Sequence, residues 1–139
     1  MNKFFSPSPI WQNNGLALVR IIIGASLIYH GSEMFDTIAM KEYFKWDMFN
    51  DPTFGKIWAY SGKVAELLAG ILFLLGLFTR VACIIVMGTM LYISFFVGHG
   101  KIWYEDQYPF LFVLLGLIFF FTGPGAISLD RSLFKNKIQ

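Results

Sequence analysis

Residues 62–80, GKVAELLAGILFLLGLFTR, decide the fold. The run reads as a membrane-spanning helix interrupted by Lys63 and Glu66, and ionisable groups at that depth are expensive enough to need partners on other helices. At helical spacing Gly62, Glu66, Ala69, Phe73 and Gly76 share one face, where small residues would admit a neighbouring backbone and the carboxylate would point inward. Lys63 lies three residues before Glu66, within pairing distance on a helix.

Working outward, Val81 to Gly98 and Phe110 to Leu129 contain no charged residue, and each reaches the roughly 18 to 20 residues that a crossing requires. Residues 15–31 are interrupted by Arg20 and His30. A hydrophobic share of 56%, a charged share of 14% and a mean hydropathy of +0.59 place the chain outside ordinary soluble domains. The reading is an all-α integral membrane four-helix bundle in one domain over residues 1–139, with spans near 15–35, 57–79, 81–98 and 109–127. Between the first two spans, aromatic residues such as Tyr43, Phe44, Trp46 and Phe49 mark a short interfacial helix in the first outer loop, roofing the bundle.

The formal charge of +2 is unevenly spread. Lys3, Arg20, Arg80, Arg131, Lys135 and Lys137 collect on one side against Asp130 alone, while the acids, including Glu33, Asp36, Asp51 and Asp106, crowd the other. The positive-inside rule then places both termini of a multi-pass protein in the cytoplasm. No signal peptide is read at the N-terminus. The basic residues set topology and form no nucleic-acid surface. Cys83 is the one thiol, which excludes dithiol chemistry within the chain and leaves a packing role.

Counting residues from the basic ends at 1.5 Å each brings His30, Glu66, Lys63 and His99 to heights of about 20 to 27 Å. Glu33, Tyr60 and Tyr92 fall at the same level, so three spans feed one polar layer near the outer face. Arg20 alone lies in the inner half, where it would either snorkel to the headgroups or make an inward ion pair.

The pieces LVRIIIGASLIYHGSEMF (18–35), KVAELLAGILFLLGLFTR (63–80) and GPGAISLD (123–130) resemble the DoxX family of small bacterial membrane proteins, in that order and spacing. The resemblance implies a four-helix bundle in the bacterial inner membrane. It also implies kinship with a subunit of thiosulfate:quinone oxidoreductase and with membrane thiol-redox complexes. Arg20, Gly24, His30, Gly31, Glu66, Gly76, Arg80, Gly123, Pro124, Gly125 and Asp130 occupy the family's motif positions. Of these, Arg20, Arg80, Gly123, Pro124, Gly125 and Asp130 are read as structural. The absence of a Cys pair means that any thiol would come from a partner.

Three readings of the polar layer follow. In the first, the chain is the membrane subunit of an oxidoreductase. His30 and Glu66 are its catalytic proton carriers, and Lys63, Tyr92, His99, Tyr60 and Glu33 bind a quinone headgroup or another small molecule. A variant uses His30 and His99 as haem ligands; no other metal site is read. In the second, the chain is a non-catalytic scaffold or assembly factor whose buried polar residues hold the bundle together. A small-amphiphile carrier is third, without the broken helix or repeat such proteins show. Membrane lipids, a partner redox protein and a second copy of the chain are the expected partners. No flavin, iron–sulfur or dinucleotide motif is encoded.

Overall fold

The computed structural model describes residues 6–134; the early and late lysines of the charge argument, Lys3, Lys135 and Lys137, lie outside them. The described chain is all-helical. Helix α1 (Gln12–Ser32) runs on through a 3-10 turn at Glu33–Phe35. Asp36 then starts α2 (Thr37–Tyr43), its carboxylate accepting the backbone N–H of Ile38 at 2.8 Å and of Ala39 at 3.3 Å, a cap that suits a short isolated helix. After a 3-10 turn at Asp47–Phe49 come α3 (Gly55–Leu75) and α4 (Thr79–Tyr92), the latter continued by a π-helical turn at Ile93–Val97. Helices α5 (Gln107–Thr122) and α6 (Leu129–Phe134) complete the order.

Three helical stretches have the length and apolarity to cross a membrane: Gln12–Phe35, Gly55–Leu75 and Thr79–Val97. The fourth apolar helix is shorter than the reading from sequence, which ran to residue 127. It ends at Thr122 after 16 residues, about 24 Å of rise. Gly123 leaves the helix at φ 81 and Gly125 sits at φ 86, with Pro124 between them lacking an N–H to continue the ladder. Large apolar side chains such as Ile22, Leu68, Ile84 and Phe121 are exposed around the bundle, as expected of a surface that faces lipid.

The tightest seam joins α1 to α3. A Cβ on Gly24 would meet Leu74 N at 2.6 Å and Gly70 O at 2.9 Å, and one on Gly31 would meet Leu67 N at 2.5 Å. Here the two backbones touch, which only small residues allow. The glycine that α3 contributes is Gly70. Gly62 has no atom within 4 Å of a would-be Cβ, although Glu66, Ala69 and Phe73 from the face read in the sequence are buried as expected. Leu27, Phe73, Val86 and Phe119 fill the centre, with Phe73 and Phe119 edge to face at 5.8 Å between ring centroids.

Between α3 and α4 the turn is sharp. Gly76 ends α3 at φ 63, and the N–H of Leu77 returns to Leu72 O at 3.0 Å. Phe78 follows at φ 46, an unusual conformation for a bulky residue. It is held by Asp130, whose two carboxylate oxygens accept the N–H of Phe78 at 2.6 Å and of Thr79 at 2.8 Å. The C-terminal segment therefore caps α4 from a distance in sequence that no local rule reveals.

Candidate functional site

The two ends of the bundle treat charge differently. At the end where α1 begins, Arg20 is 1% exposed and spends its donors on backbone: Nε on Pro124 O at 2.9 Å, Nη1 on Leu74 O at 3.1 Å and on Phe73 O, and Nη2 on Ile127 O. Neither snorkelling nor an ion pair describes it. The guanidinium instead ties α1 to the last turn of α3 and to the 123–128 segment, serving carbonyls at the end of α3 and in the glycine turn, among them Phe73 O, which also accepts the N–H of Gly76 at 3.1 Å. Gly76 is required beside it, since a Cβ there would lie 2.6 Å from Nη1. Arg80 is exposed at this same end.

At the opposite end, Lys63 of α3 reaches across to Glu33 after α1, with Nζ 2.8 Å from Oε2, and contacts Glu66 Oε2 at 3.2 Å on its own helix. Exposure falls along this chain, from 25% for the Glu33 side chain to 12% for Lys63 and 7% for Glu66. The Tyr43 hydroxyl of α2 donates to Glu33 Oε2 at 2.6 Å, and its ring lies 4.5 Å from Lys63 Nζ. Burial, and then the bond to Glu33, push the Tyr43 phenol above its ordinary range, so it stays protonated and remains the donor. His30 Nδ1 lies 3.6 Å from Glu33 Oε1, with its side chain half exposed.

Lys63 has three N–H donors and two carboxylate partners, and Tyr43 lies against the same ammonium, so its third donor reaches a ligand only by turning from Tyr43. The charges are also uneven: two carboxyl groups face one ammonium.

A cavity of about 280 Å³ opens beside this chain. His30, Lys63 and Glu66 form its polar wall, and Trp46, Phe49, Trp58, Tyr92 and Phe112 form much of the apolar remainder. Trp58 stacks on Tyr92 at 6.2 Å and 20° between planes. The π-helical turn that follows Tyr92 delivers Ile93 and Val97 to the same cavity, a placement such turns often have at functional sites.

The family model for DoxX matches residues 15–99, more than half of the chain. The chain belongs to the DoxX family. The DoxX match takes in α1, α3 and α4, and with them Arg20, His30, Lys63, Glu66 and Tyr92; the 123–130 segment lies beyond it. An uncharacterized protein of Haemophilus influenzae is 32% identical over 127 residues, covering 86% of this chain and 91% of its own. No solved structure matches.

Of the residues singled out from sequence, this DoxX chain brings His30, Lys63, Glu66 and Tyr92 to one cavity, with Glu33 bonded behind Lys63. Tyr60 and His99 do not line it. Tyr60 packs on Phe44 at 5.9 Å, turned away because it neighbours Ala59, which does face the cavity. His99 lies beyond the π-helical turn, exposed, with its backbone N–H donating to Asp106 Oδ2 at 3.0 Å. His30 and His99, the pair read as haem ligands, thus do not line a common cavity. Among the described residues no group of three His, Cys, Asp or Glu side chains is placed to hold a metal ion. Cys83 is fully buried in the core, consistent with packing. The bond between Tyr43 and Glu33 was not legible in the sequence, although the aromatic roof that carries Tyr43, Trp46 and Phe49 was.

Proposed function

We propose that this DoxX protein is the membrane subunit of a redox pair and that the cavity beside Lys63 receives the headgroup of a quinone. One observation carries the reading: three ionisable side chains that belong to a single hydrogen-bonded and ion-paired chain form one wall of a cavity otherwise lined largely by aromatic and aliphatic groups. That combination suits a flat ring with polar carbonyls, held by stacking on Trp58 or Tyr92 and by few directional donors. The volume is near the lower bound for small-molecule pockets.

In this reading Lys63 directs its remaining N–H to a quinone carbonyl. Glu66, the most buried acid, passes a proton to or from the ring oxygen. Lys63 and Glu33 link that acid to His30 at the surface, where water supplies or removes the proton. Reduction of a quinone to a quinol takes two electrons and two protons; the electrons come from a partner redox protein. The uneven charge argues for the bacterial inner membrane with both termini cytoplasmic and the cavity on the far side. Gly24, Gly31 and Gly70 are occupied within the chain, by the contact of α1 with α3.

A scaffold role is the second reading, favoured by the mutual pairing of Glu33, Lys63 and Glu66, which is what a structural clasp requires. Tryptophan emission separates the two. Trp46 and Trp58 line the cavity whereas Trp11 and Trp103 are exposed elsewhere. Titrating the solubilised full chain with a short-chain benzoquinone is expected to quench emission saturably, and the Trp46→Phe/Trp58→Phe variant is expected to retain only the linear, collisional component. Linear quenching of equal slope in both proteins would reject the quinone site and leave the clasp.

A further inference from the structure

We propose that the opposite end of the bundle holds a second binding site, for the phosphodiester of an anionic membrane lipid. A cavity of about 560 Å³ lies between the start of α4, the end of α5 and α6. Arg80 and Arg131 both line it, and neither forms an ion pair among the described residues. The one acid on the wall, Asp130, has both carboxylate oxygens committed to the N–H groups of Phe78 and Thr79. Two arginines thus line a shared space with no carboxylate paired to them among the described residues, and a phosphate offers the oxygens that such planar donors match.

A further polar group at the wall lacks a partner. The Thr79 hydroxyl oxygen is buried and makes no hydrogen bond among the described residues, although Thr79 lines the cavity. Buried hydroxyls without a partner are uncommon, and this one lies beneath the cavity surface, where an acceptor reaches it once a ligand shifts the wall.

The surroundings select a lipid over a free anion. Phe78 and Phe134, whose rings lie 6.1 Å apart, flank the arginines, and Phe78 and Val81 are each half exposed. These side chains join the charged cavity to the apolar flank of the bundle, so a ligand with a phosphate and acyl chains gains from both, whereas inorganic phosphate gains only from the first. Arg20 and Asp130 position the walls: the former fixes the 123–128 segment and the latter fixes Phe78. The site is independent of the redox reading of the other cavity.

Thermal unfolding of the full chain in dodecylmaltoside micelles tests this. Adding dioleoyl phosphatidylglycerol at low salt is expected to raise Tm by about 5 °C, with little change from dioleoyl phosphatidylcholine. The gain should be lost at about 1 M salt, where the screening length falls to about 3 Å. Arg80→Gln with Arg131→Gln should remove the lipid-dependent rise while leaving Tm in detergent alone near the wild-type value, since both side chains are exposed and form no ion pair among the described residues. Lys41→Gln with Lys56→Gln, at the other end, should retain it. Equal stabilisation by the two lipids, or a full rise in the double arginine variant, overturns the proposal. So does an equal rise with inorganic phosphate, which would identify a free-anion site. Should the arginine variant fail to fold, the wild-type comparison of lipids and salt still decides the matter.

Discussion

Gly70→Ala is expected to destabilise the protein by about 3 kcal/mol or more, and Gly70→Leu to prevent folding. The added Cβ would sit 2.7 Å from Ile28 N and 2.9 Å from Gly24 O, both backbone atoms that cannot swing aside. Relief requires α1 and α3 to separate along their whole seam, which exposes Gly24 and Gly31 and strips Arg20 of its carbonyl partners on α3. Gly62→Ala provides the control. No atom lies within 4 Å of its would-be Cβ, so relief of the glycine penalty in a helix should leave stability unchanged or raise it by up to about 1 kcal/mol. The midpoint of denaturation in mixed SDS micelles measures both. Equal midpoints for the two alanine variants would mean that the seam is looser than described.

Lys63→Met should be the most damaging change at the cavity end. It leaves Glu33 and Glu66 facing each other across a largely apolar wall without their shared cation, and breaking a buried ion pair in this way costs about 3–5 kcal/mol. Glu33→Gln and Glu66→Gln added to Lys63→Met should recover most of that loss, because the uncompensated charges go with the lysine. The same SDS titration reads the effect. A triple variant as unstable as the single one would show that Lys63 acts by packing its alkyl stem and not by its charge. Binding should behave differently from stability: the triple variant, though refolded, should show none of the saturable quenching by benzoquinone.

Much of this architecture was legible because membrane helices advertise themselves through length and apolarity. Placing Lys63, Glu66 and His30 at one height needed only the rise per residue. Height is not direction, however. Tyr60 shares the height of Lys63 but is turned from the cavity, and a count of 3.6 residues per turn would put His99 on the face of Tyr92. The π-helical turn at Ile93–Val97 breaks that count, and the helix ends before His99. Nothing in residue type announces a wider turn.

Arg20 illustrates a second limit. Its partners are carbonyl oxygens of Phe73, Leu74, Pro124 and Ile127, and a carbonyl belongs to every residue alike. A search for acids therefore could not find them. Gly123, Pro124 and Gly125 are read from the sequence as structural, inside a span placed as far as residue 127, and not as the surface against which the guanidinium closes. Likewise Tyr43 reaches Glu33 only because Asp36 starts α2 at an angle that folds it back over the bundle, a tertiary event that the aromatic composition of the loop hinted at without specifying.

The central claim is that the third donor of Lys63, the one not held by Glu33 or Glu66, addresses a ligand carbonyl inside the aromatic cavity. Infrared difference spectra of a short-chain benzoquinone, isotopically labelled at one carbonyl and bound to the solubilised chain, test it most directly. The account predicts a carbonyl band displaced to lower frequency in the wild type, returning to the position in micelles alone when Lys63→Met is combined with Glu33→Gln and Glu66→Gln. An undisplaced band in the wild type, or a displacement that survives in the triple variant, would contradict it.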